Sequence, residues 1–163
     1  GGSGDITPGT TILDAFKSVV IDSSRIHYSK DGNDLSNSDV VVVVVGEKPY
    51  SEGVGDRDAL YLSDEDRKLL NKIGNTNLPH VVILISGRPM IINEALAKSD
   101  AFVLAWLPGT EGEGITDVIF GDYNFTGKLS MTWPKSMKQI PINYGDSNYD
   151  PLFKLGFGLS YKK

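Results

Sequence analysis

Apolar positions recur along this chain with periods that change from segment to segment, and the changes mark the elements. Between Thr11 and Val20 the apolar residues fall at 12, 13, 16, 19 and 20, the one-face spacing of an amphipathic helix. Thr11 with Asp14 three residues on resembles a capping box at its start. Arg25-Ile26-His27-Tyr28 reads as a short strand, and the polar, turn-rich stretch from Lys30 to Asn37 as a loop. Six consecutive valines follow, Val40 to Val45. β-Branched side chains suit a pleated sheet better than a helix. Apolar residues on both faces imply helices above and below, as in a parallel sheet. Burying each valine fully stabilises by roughly 1.5–3 kcal/mol gross. Six together match the net stability of a whole domain, on the order of 5–15 kcal/mol, so this strand is expected at the centre of the sheet.

Gly46 to Leu62 is polar and aperiodic, and loops of that length are usually functional or disordered. Ser63-Asp64-Glu65-Asp66 opens a helix with acids in its first turn, and Leu69, Leu70 and Ile73 give it an apolar face. Val81 to Ile85 and Ala101 to Ala105 read as further buried strands, separated by a short helix from Ile92 to Lys98. The glycine-rich run from Gly109 leads into a helix over 115–120 stopped by Gly121. Gly127 to Trp133 alternates and predicts a half-exposed edge strand. From Pro134 onward no element is evident, and that stretch is expected to be an extension packed on the same domain, 1–133. Alternating strands and helices predict an α/β fold, a three-layer α/β/α sandwich around a mostly parallel, flavodoxin-like sheet.

Composition narrows the chemistry. The chain has 163 residues, about one domain. It contains no cysteine, which excludes disulfides, thiolate catalysis and Cys-ligated metal centres. His27 and His80 are its only histidines, too few for a multi-His site, so neither metal nor cofactor is expected. Sixteen basic and 21 acidic residues give a net charge of −5, which disfavours nucleic acid as a partner. No apolar run approaches the roughly 20 residues of a membrane span. The Gly1-Gly2-Ser3-Gly4 start does not have the pattern of a signal peptide and reads as a cut end. Gly53-Val54-Gly55 is only a fragment of a dinucleotide fingerprint, and Glu111 and Glu113 in the glycine-rich run would repel a phosphate. Walker and G-x-S-x-G patterns are absent from the sequence. Asn124-Phe125-Thr126 fits a glycosylation acceptor.

Ligands of open α/β sheets bind beyond the carboxyl ends of the strands. The loop leaving the valine strand there holds Glu47, Glu52 and Asp56, any of which could serve as a general acid or base, and composition does not choose among them.

The choice comes from a resemblance. Val45-Gly46-Glu47-Lys48-Pro49-Tyr50-Ser51-Glu52-Gly53-Val54-Gly55-Asp56 resembles the catalytic-loop motif of glycoside hydrolase family 3. Leu84-Ile85-Ser86-Gly87-Arg88-Pro89 is similar to that family's next strand end. The segments Trp106 to Gly112 and Phe120 to Leu129 together resemble its most recognisable signature, and Phe153 to Tyr161 resembles its C-terminal motif, so that four motifs stand in the family's order across nearly the whole chain. The likeness is nearest to β-glucosidases and exo-acting β-glucan glucohydrolases. It implies the C-terminal sandwich domain of a retaining glycosidase, hydrolysing a β-glucoside or β-glucan oligosaccharide. In such enzymes an N-terminal (β/α)8 barrel, in the same or a companion chain, supplies the aspartate nucleophile. The Pro-Tyr-x-Glu position makes Glu52 the general acid/base, with Tyr50 and Asp56 as sugar-binding neighbours and Glu47 in a supporting role. The family's barrel and the first strand of its sandwich have no counterpart in this sequence, so the sheet is expected to lack that strand and the chain alone to be inactive. A secreted or periplasmic setting is what the resemblance favours. The competing expectation is a non-catalytic carbohydrate-binding or interaction module of the same fold.

Overall fold

The computed structural model describes residues 6–50 and 53–161. Three strands, β1 (Val41–Gly46), β2 (His80–Ile85) and β3 (Ala101–Trp106), form one parallel sheet in the order β1-β2-β3. Among the described residues four α-helices accompany it: α1 (Ile12–Val19), α2 (Asp64–Gly74), α3 (Asn93–Lys98) and α4 (Gly112–Phe120). Val41 stands opposite His80 and Gly46 opposite Ile85. Between β2 and β3 the register slips after Leu84, so that Ile85 pairs with Trp106. Trp106 takes up the irregularity with a left-handed φ of 55°, a conformation that costs a bulky residue on the order of 1–3 kcal/mol.

The helix starts are those the sequence signals. The Thr11 hydroxyl accepts from the Asp14 backbone N–H at 3.1 Å, and that of Ser63 from Asp66 at 3.0 Å. Gly121, at φ 85°, closes α4 in the left-handed conformation that glycine adopts without penalty.

Alternation along the strands sends successive side chains to opposite layers. On one face Val43, Val45, Val82 and Leu84 pack with Leu70 and Ile73 of α2, Ala95 of α3, and Trp133. On the other, Phe16 of α1 and Ile115 of α4 meet Ile83, flanked by Val42, Val81 and Ile85. The result is the expected three-layer α/β/α sandwich, with α2 and α3 on one side of the sheet and α1 and α4 on the other.

Four expectations are corrected. The valine strand is not central: among the described residues β1 pairs with β2 alone, and β2 occupies the middle. Val43 and Val45 are 4% and 3% exposed, whereas Val44, on the α1 side, is 43% exposed. β3 is also an edge, and only Val103 of it is fully buried. The strand expected at Arg25-Ile26-His27-Tyr28 does not form: residues 23–25 make a 3-10 turn and 26–28 are irregular. Gly127 to Trp133 does not join the sheet. It runs beside the C-terminal segment through Leu129 N–H to Phe157 O (2.8 Å) and Trp133 N–H to Phe153 O (2.9 Å). Leu152 and Phe153 thereby pack against the α2–α3 side of the core.

Candidate active site

At the carboxyl end of the sheet the valine strand stops at Gly46 because nothing larger fits. A Cβ on Gly46 would collide with the carbonyl of Ile85 on the neighbouring strand. The close approach lets the Glu47 backbone N–H donate to the same carbonyl at 3.0 Å, which turns the Glu47 side chain toward the end of β2.

There it meets a convergent set of donors. Arg88, just past β2, reaches Glu47 Oε1 with Nε at 3.1 Å and Nη2 at 2.8 Å. Arg57, from the far side of the β1 loop, pairs with the same oxygen. The Ser86 hydroxyl lies 2.8 Å from Glu47 Oε2 and accepts from the Arg88 backbone N–H at 3.2 Å. The Tyr50 hydroxyl donates to Glu47 Oε2 at 3.3 Å. The Glu47 side chain is only 5% exposed. Burial is the largest single influence on its pKa and acts upward. Hydrogen bonds from Arg88 and Ser86, with the charges of Arg88 and Arg57, outweigh it and hold the carboxyl below its ordinary range. Burial and the Glu47 carboxylate together push the Tyr50 hydroxyl up.

Arg88 is the hub. Besides Glu47 it donates from Nη1 to the Gly55 carbonyl at 2.7 Å, and its guanidinium lies 4.5 Å from the Tyr50 ring centroid, a cation–π distance. Gly55 is buried, and a Cβ there would strike the Tyr50 ring. Ser86 is tied to the third strand, its N–H donating to the carbonyl of Trp106 at 3.1 Å. One connected network thus links the carboxyl ends of β1, β2 and β3. Beside it an open cavity of about 480 Å³ is lined by Asp56, Arg57, Asp58, Leu60 and Arg88.

The three residues singled out from sequence fare differently. Tyr50 belongs to the network, with its ring against Arg88 and its hydroxyl on Glu47. Asp56 is exposed and lines the cavity. Glu52 lies outside the described residues. The sequence reading gave no role to Arg88, Ser86 and Arg57, which the structure brings onto Glu47. The available signal was the Ser86-Gly87-Arg88-Pro89 run at a strand's carboxyl end, where parallel strands bring their loops together. His80 is a core histidine: its backbone N–H donates to Asp100 Oδ2 at 2.9 Å and its ring Nδ1 is 3.1 Å from the Leu78 carbonyl. The Asn124 side chain accepts from the Tyr161 backbone N–H at 2.8 Å. Among the described residues no group of three His, Asp or Glu side chains is arranged to hold a metal ion, and no helix is long and apolar enough to cross a membrane.

Comparison with known proteins gives a consistent set of likenesses. A family model described as the glycosyl hydrolase family 3 C-terminal domain matches residues 1–161. A β-xylosidase of Formosa agariphila is 36% identical over 183 residues, covering 93% of this chain and 25% of the relative. A periplasmic β-glucosidase of Salmonella typhimurium is 35% identical over 147 residues, covering 76% of this chain and 19% of the relative. Among solved structures, the β-glucosidase of Listeria innocua in complex with glucose superposes with a TM-score of 0.72 at 31% identity, over 78% of this chain and 21% of that one. The chain therefore spans about a fifth to a quarter of the length of these relatives.

Proposed function

Because this chain belongs to the glycosyl hydrolase family 3 C-terminal domain family, we propose that it supplies the general acid/base glutamate of a retaining β-glycosidase whose nucleophile lies on another domain. The observation that carries this reading is the state of Glu47. A general acid must hold its proton near neutral pH, which calls for a raised pKa. Glu47 has the opposite setting, ionised and saturated with donors from two guanidiniums and two hydroxyls. It serves as an anchor. That setting argues against Glu47 alone; it is the resemblance, through the Pro-Tyr-x-Glu position, that makes Glu52 the candidate acid. Asp56, on the cavity wall, and Tyr50 are the candidate sugar contacts.

In this mechanism the nucleophile attacks the anomeric carbon while Glu52 protonates the leaving oxygen, then takes a proton from the water that hydrolyses the glycosyl intermediate. The two carboxyl groups of a retaining pair stand about 5–5.5 Å apart, so this chain works only when joined to the domain that bears the nucleophile. The substrate class is a β-linked glucoside or short β-glucan. The relatives named β-xylosidase and β-glucosidase make the β-xyloside the comparison to run beside it.

The test uses the complete protein. Glu52→Gln should lower turnover of glycosides with poor leaving groups by about 10²–10⁴-fold. Dinitrophenyl glycosides, which need little proton assistance, should lose far less in kcat/KM. Equal, small effects on both substrates would remove Glu52 from the role.

A further inference from the structure

We propose that Arg88 is the positioning residue of the β1 loop, setting from outside the loop how well its acid/base group meets the leaving oxygen. This rests on the reading of Glu52 given above. Tyr50 precedes Glu52 by two residues and Gly55 follows it by three, and Arg88 holds both. Its guanidinium faces the Tyr50 ring on one side of that interval and donates to the Gly55 carbonyl on the other. Its remaining donors fix it on Glu47, at the root of the loop. The Arg88 backbone N–H donates to the Ser86 hydroxyl, and Ser86 in turn donates its own N–H to the Trp106 carbonyl at the end of β3. A single planar group therefore ties the root and both flanks of the loop to the sheet.

Only arginine can do this at once. Nε and Nη2 donate together to one Glu47 oxygen and Nη1 donates to the Gly55 carbonyl, while the face of the same plane stays free to stack on an aromatic ring. A lysine keeps the charge and one contact but cannot span the fork. The chemistry of the loop is sensitive to the difference, because a displacement of about 1 Å at a reacting group can cost on the order of 10²-fold in rate.

The experiment is Arg88→Lys in the complete protein, assayed on β-glycosides whose leaving groups run from alkyl to dinitrophenyl. Positioning predicts a fall in kcat/KM of about 10–100-fold on the poor leaving groups, little change on the activated ones, and partial rescue of Arg88→Ala by added guanidinium. A uniform loss across leaving groups, or unchanged rates, would overturn it. Tyr50→Leu removes the stacked ring and the hydroxyl on Glu47 and carries the same test if Arg88→Lys does not fold: a loss that grows as the leaving group becomes poorer supports positioning, and a loss equal on all leaving groups refutes it. Glu52→Gln keeps the two readings apart. If Glu52→Gln shows no leaving-group dependence, the acid/base assignment fails. If it does and the Arg88 and Tyr50 variants do not, the positioning role fails alone.

Discussion

Replacing Glu47 by glutamine removes one charge and almost no volume, so its effect isolates the electrostatics of the network. In the native protein the carboxylate accepts from Arg88, Arg57, Ser86 and Tyr50. A carboxamide offers one acceptor oxygen and turns two new N–H donors toward that crowd of donors. Breaking a buried pair from one side costs about 3–5 kcal/mol. Here the lower end applies, because the partners can reach water: the Arg88 side chain is 23% exposed and that of Arg57 41%. A loss of about 3 kcal/mol lowers the melting temperature of a domain of this size by roughly 6–12 °C. Ser86→Ala leaves both guanidiniums on Glu47 and should cost only about 1 kcal/mol. The pH dependence gives an independent check. The folded pKa of Glu47 lies below its ordinary value of 4.5, so the native state gains stability from ionised Glu47 above pH 4.5. That gain fades as pH falls through the folded value. Calorimetry of the complete protein should therefore show wild type and Glu47→Gln far apart at neutral pH and converging in acid. Equal melting temperatures at neutral pH, or a gap that widens on acidification, would refute the reasoning.

Two other residues give contrasting expectations. Asp66, half-buried in the first turn of α2, has its carboxyl pushed above the ordinary 3.8, chiefly by burial; a raised folded pKa means stability lost as pH rises through it. Asp66→Asn should thus raise the neutral-pH melting temperature and lose that advantage below pH 3.8, opposite to Glu47→Gln, and thermal melts at the two pH values decide it. Trp133 is 2% exposed, donates from Nε1 to the Met90 carbonyl at 2.8 Å and stands 6.2 Å from Trp106, ring to ring. Trp133→Ala should cost about 3–5 kcal/mol, read from the denaturant midpoint; a shift under about 1 kcal/mol would mean that the segment contributes little to the core.

The layers of the fold were legible where local chemistry speaks. Thr11 and Ser63 announce helix starts by cap residues alone, and apolar period separates strands from helices. Pairing partners were not legible. The valine run reports that a strand wants cover on both faces, but nothing in it says which strands lie beside it, and β1 proved an edge with Val44 half in water. Gly127 to Trp133 has a strand's alternation, yet its partner is the C-terminal segment, which shows no periodicity of its own. The slip that puts Trp106 in a left-handed conformation has no sequence signature either. At the site, the loop and its acidic residues stood out through length and polarity. Composition did not choose between Glu47 and Glu52; the preference for Glu52 comes from the family resemblance, and what the structure describes is the set of donors around Glu47. Arg88 is 41 positions from Glu47, and only the parallel arrangement of β1 and β2 makes them neighbours.

That parallel arrangement also sets a schedule. His80, the partner of Val41, follows it by 39 residues. At about 5–20 residues per second of synthesis, six valines in a row wait roughly 2–8 s beyond the ribosome before their first ladder partner emerges. A short, uncharged, β-prone segment left alone that long is a template for non-native association. The yield of this domain in a cell should therefore depend on how fast the chain between the two strands is translated and on what shelters the valines meanwhile.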